Sequence, residues 1–131
     1  MIRYRSGLDP DAAVDALKSA IEAADMRLVS HINGQANAAM IGTEVPADQI
    51  LEVFRPNFAL RVWEASKPAG IEIPLRIHVY QEGFDAPASI AFRTASEAFA
   101  PYGSTDLNAI GKELDAIFFQ ILAAVPEEGA L

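Results

Sequence analysis

The chain has 131 residues, 51% of them hydrophobic, and no cysteine, a length that suits one domain spanning 1–131 with a core that needs no disulfide. Eighteen acidic residues against 10 basic ones give a net charge of -8, which excludes binding that rests on neutralising nucleic-acid phosphates or on a polybasic membrane patch. The missing thiols exclude disulfides, thiolate metal sites and thiol catalysis.

Ile2 to Ser6 alternates apolar and basic residues, the period of a half-buried strand, and no signal-peptide apolar region follows it, so a cytoplasmic location is expected. Asp9-Pro10-Asp11 opens a helix: Asp9 caps it, Pro10 suits its first position and Asp11 complements its dipole. Val14, Leu17, Ile21 and Ala24 form its apolar stripe, and it ends near Asp25. Met26 to Asn33 returns to alternation, with Met26, Leu28 and Ile32 on one face and Arg27, Val29 and His31 on the other. Gln35 to Gly42 is alanine-rich and fits two helical turns ended by Gly42. Gln49 to Phe54 is a short apolar strand, broken by Arg55-Pro56.

Asn57 is placed to cap a helix over Phe58 to Ser66, and Lys67 to Gly70 reads as a loop. Ile73, Leu75, Ile77 and Val79 alternate with Pro74, Arg76, His78 and Tyr80, with the proline confining the first residues to an edge or outside the pairing. A turn over Gly83 to Pro87 leads to a partner strand, Ala88 to Arg93, with Ala88, Ile90 and Phe92 inward. A short helix fits Ala95 to Ala100. Ser104 or Thr105 caps a last helix whose stripe runs from Leu107 to Val125, where Pro126 stops it and residues 126–131 form a frayed tail. The longest apolar run, Ile117 to Val125, is too short to span a bilayer. The order predicts an α+β fold: one mostly antiparallel five-stranded sheet with helices on one face, the other face open to a ligand or a partner.

Little in the chain carries chemistry. It has no glycine-rich phosphate loop, no nucleophile elbow and no helical histidine pair, so no cofactor is expected. Parity sends both histidines, His31 and His78, to the open face with Arg27 and Arg76, joined by Arg3 and Arg5, a basic stripe that reads as a ligand surface or as ordinary solvated positions. A metal site on the two histidines needs a third ligand, and nothing fixes Glu52, Glu72 or Glu82 beside them, so none is expected. Ser30 and Ser89 lack a visible orienting group for nucleophilic work. Trp63 with Phe58 offers a stacking platform, although aromatic residues at helical spacing read as core. Arg55-Pro56-Asn57 is a second ligand candidate, because polar groups at a helix N-terminus favour anions, although it also serves as strand stop and cap.

The segments Asn37-Ala38-Ala39-Met40-Ile41-Gly42, Val53-Phe54-Arg55-Pro56-Asn57 and Ala69-Gly70-Ile71-Glu72-Ile73-Pro74-Leu75-Arg76 resemble the bacterial family known as domain of unknown function 302, and Phe99-Ala100-Pro101-Tyr102 with Glu113 to Phe118 resembles one of its subgroups. The resemblance covers nearly the whole chain. It implies a β-α-β4-α fold related to the TATA-box-binding-protein-like superfold, with an inserted helix, and a homodimer; it implies no reaction. Many members carry an Asp-His pair before the alanine-rich segment and a Gly-Asn-Pro turn after the third strand. Here Asn33-Gly34 and Arg55-Pro56-Asn57 stand at those places, and His31 does not replace the pair.

Three readings of function follow. The first is a noncatalytic binding module for a small, partly apolar or anionic ligand. The second is a homodimeric interaction protein, since Val29, Tyr80, Ala91, Trp63 and Phe119 are left over by the stripe assignments. The third is an enzyme with His31 or His78 as acid or base.

Overall fold

A computed structural model describes residues 1–130. β1 (Ile2–Ser6) leads into α1 (Pro10–Ala23), where the Asp9 carboxylate accepts from the Ala12 amide at 2.9 Å and Val14, Leu17 and Ile21 are buried as the stripe predicts. The helix is closed by Asp25 in the left-handed region (φ 57°), which lets the Met26 amide return to the Ile21 carbonyl at 3.0 Å. β2 (Arg27–Asn33) follows, and the Asn33 side chain caps α2 (Gly34–Met40). α2 buries no residue, and its one large apolar side chain, Met40, is exposed.

β3 (Asp48–Phe54) runs into α3 (Pro56–Ala65). Asn57 is not the cap: Arg55 holds that position without a side-chain cap bond, and Pro56 takes the first helical position, so the helix starts earlier than predicted. Lys67 to Glu72 is a 3-10 helix rather than a loop. Pro74 precedes β4 (Leu75–Tyr80), outside the pairing, and β5 (Ser89–Phe92) completes the hairpin. α4 (Ala95–Phe99) leads through a 3-10 turn to α5 (Thr105–Leu122), capped by Ser104 on the Leu107 amide. α4 lies tight against α5 because residue 111 is glycine; a Cβ there would sit 3.2 Å from the Ser96 Cα.

Among the described residues the sheet has six strands, not five. Glu127–Ala130 forms β6, paired with β1, where a frayed tail was expected; Leu131 lies outside the described residues. Two glutamates and a glycine carry no strand pattern, and the pairing rests on backbone groups offered by the β1 edge. The order is β2-β3-β4-β5-β1-β6, antiparallel at every step. α1, α3 and α5 cover one face, over a core in which Phe92 and Phe118 stack at 4.9 Å. Tyr4 ties β1 to the end of α5: its hydroxyl donates to the Val125 carbonyl at 2.7 Å, and burial with the nearby Glu127 pushes the phenol up to about 12. Among the described residues no helix is long and apolar enough to cross a membrane.

Candidate functional site

Strand parity and register together lay out the uncovered face in rows. Ser30, Glu52 and Arg76 stand opposite one another on β2, β3 and β4. The next row is Ile32, Ile50, His78, Ala91 and Arg3, and the one after it runs Asp48, Tyr80, Ser89 and Arg5. Ile77 faces Phe92, so Arg93, one step beyond β5, falls beside Arg76. Four of the seven arginines, Arg3, Arg5, Arg76 and Arg93, therefore share this face of an acidic protein.

Over β3, β4 and β5 the face is hollowed into a groove of about 460 Å³. Ile50 and Ala91 line it on the sheet, Ile71, Ile73 and Pro74 wall one end, and Arg76, Arg93 and His78 bring polar groups to it. The Ile73–Pro74 bond is cis. Two carboxylates also reach the groove. Glu52 approaches the Arg76 Nε at 3.9 Å, and Glu72 accepts the Tyr102 hydroxyl at 2.6 Å, a bond that raises the phenol above its ordinary value. His78 is positioned from two sides: its Nε2 lies 3.0 Å from Asp48 Oδ1, and its ring stacks on Tyr80 at 4.6 Å.

The predicted site residues divide into three places. Arg76 and His78 are in the groove, on the face assigned to them. His31 is not there. A bulge between Leu28 and Ser30 shifts the β2 register, so Leu28 and His31 face the helix side while Ser30 and Ile32 face the open side. His31 is bonded to the buried Gln49 amide at 2.6 Å, which it serves as a hydrogen-bond partner. The two histidines consequently lie on opposite faces of the sheet. Arg27, assigned to the same face as Arg76 and on that parity in the register with β3, lies away from the groove, with Arg55 and Asn57 in a shallow hollow at the start of α3. There Arg55 lies over the Phe58 ring at 4.7 Å and reaches the Asp25 carbonyl and carboxylate at 3.3 and 3.4 Å, so its charge already has partners.

Ile50, Ala91 and Arg93, which line the groove, and Asp48, which holds His78, were not singled out from the sequence as site residues. The outward parity of Ala91 and Arg93 was visible, but their neighbours on β3 and β4 depend on register. Neither Ser30 nor Ser89 is hydrogen-bonded to a histidine, and the buried Ser89 hydroxyl has no partner among the described residues. Among the described residues no three His, Asp or Glu side chains converge in a way that would hold a metal ion.

These features define a small α+β protein whose antiparallel sheet is covered by helices on one face and grooved on the other. The chain belongs to the family described as Domain of unknown function DUF302, whose model matches residues 2–125. It is similar in structure to the crystal structure of uncharacterized conserved protein DUF302 from Bacillus stearothermophilus: the TM-score is 0.84 and the identity 16%, over 95% of this chain and 97% of that one. That likeness shows a shared fold. No curated protein matches the sequence.

Proposed function

We propose that the protein is a binding module that holds a small, partly apolar ligand in the groove over β3, β4 and β5. One observation carries this reading: the sheet face that helices leave open is concave there, in the size range of small-molecule sites, with Ile50 and Ala91 on its floor among convergent polar side chains. The test uses Nile red, a neutral dye that reports apolar sites without needing a charge. The wild-type protein should bind it, and Ala91→Trp, which fills the floor, should abolish binding while leaving the urea midpoint close to wild type. Dye binding unaffected by Ala91→Trp, or no binding by the wild type, overturns the reading. The order β1-α1-β2-β3-β4-β5-α5 also supports relating the fold to the TATA-box-binding-protein-like superfold.

A second reading, a homodimer, is favoured by the β2 edge. Among the described residues β2 has no neighbour on its outer side, and Val29 and Ile32 on it are 58% and 43% exposed, with Met40 and Ile41 of the adjoining segment also exposed. Two such edges paired about a two-fold axis would continue the sheet. The five residues first set aside for an interface do not share one surface: Tyr80 and Ala91 are on the open face, whereas Trp63 and Phe119 are on α3 and α5 of the helix layer. Light scattering should give the mass of two chains at micromolar concentration, reduced to one by Ile32→Lys. A single-chain mass at every concentration overturns the dimer.

A further inference from the structure

We infer that the groove's ligand is an amphiphile with an oxyanion head, a carboxylate or a phosphate ester on a short apolar body, and that Arg76 and Arg93 form the clamp for that head. The inference rests on the groove reading and adds the chemical class of what the groove takes.

Like charges at adjacent sheet positions are unfavourable, yet the register brings Arg76 and Arg93, one step beyond β5, to adjacent positions on the open face, and both line the groove. Glu52 approaches the Arg76 Nε at the long distance of 3.9 Å, and among the described residues no hydrogen bond engages the Arg76 guanidinium. Arg93 has no carboxylate within ion-pair distance among the described residues. Two adjacent guanidinium forks are suited to one oxyanion, which each can grip through paired N–H donors. One row along the strands, roughly 7 Å on, Ile50 and Ala91 flank His78, and Ile71 and Ile73 wall the other side. A head held at the arginines thus places its tail against apolar surface. The protein's charge of -8 repels anions in general, so retention depends on this local pair. Glu72, which also reaches the groove, opposes an anion there.

Titration calorimetry on the full chain with octanoate, octyl phosphate and 1-octanol, which share one tail, isolates the head. At least one of the two anions should bind about tenfold or more tightly than 1-octanol, the scale of a charge-assisted hydrogen bond, and the tighter of the two identifies the head. Arg76→Ala and Arg93→Ala should each bring that anion down to the affinity of 1-octanol, while Glu72→Gln should tighten it. Both arginine variants change side chains at the surface, and unchanged urea midpoints establish that they fold. Equal binding of the anions and 1-octanol overturns the clamp but leaves the groove reading standing. Anion binding that survives both arginine substitutions overturns the clamp as well. No binding of any of the three overturns both.

Discussion

Tyr4 shows how one side chain joins distant parts of the chain. Its ring is in the core, and its hydroxyl donates to the carbonyls of Leu122 and Val125, where α5 ends. Desolvation, the larger cause, and Glu127 move the phenol from 10.0 to about 12. An acid whose folded pKa is raised favours the neutral form in the fold, so its contribution is complete below pH 10 and is lost as pH rises from 10 towards 12. Tyr4→Phe should cost about 1 kcal/mol at neutral pH and should make the decline in stability above pH 10 shallower than in the wild type. Urea unfolding at neutral and alkaline pH measures both; an identical alkaline decline in the two proteins would show that Tyr4 does not titrate in this way.

At the scale of elements, α5 illustrates what periodicity resolves. Leu107, Leu114, Phe118 and Ile121 are buried, as the stripe predicts, but Ile117 is only half-buried at its margin and Phe119 is 49% exposed. A stripe read from spacing shows a direction, and its width depends on what packs against it. Leu114→Ala should therefore cost about 2–5 kcal/mol, as a cavity-forming change in a core does, and Ile117→Ala distinctly less. Denaturant midpoints of the two variants decide this, and equal losses would contradict the half-burial of Ile117. The β2 strand teaches the complementary lesson. Its alternation was correct up to Leu28, and one bulge then reversed the faces of His31 and Ile32. No residue in Arg27–Asn33 announces that bulge, because it is set by pairing with β3.

For the whole molecule the two sheet edges differ. β2 is open, whereas β1 is covered by β6, a segment with no strand signature. Removing residues 127–131 should expose the β1 edge and lower stability, and the β1 amides that face β6 should lose hydrogen-exchange protection while those paired with β5 keep it. Unchanged protection throughout β1 would mean that β6 contributes no pairing in solution. The covered edge and the helix layer leave the grooved face as the broad sheet surface still available to a ligand.

The sequence by itself determined what depends on neighbours along the chain: the α1 cap at Asp9, the start of α5 at a Ser104 or Thr105 cap, the stripes, five strands and the outward turn of Arg76 and His78. These are local preferences of backbone and side chain, and a few residues suffice to express them. Only the tertiary structure decided which outward residues meet. Arg93 stands beside Arg76, Asp48 holds His78, Arg27 joins Arg55, and His31 serves Gln49, each across strand pairings or packed elements distant in sequence. Register, a bulge and a backbone-paired sixth strand are properties of pairs of strands, and a single strand's residues do not specify its partner's alignment.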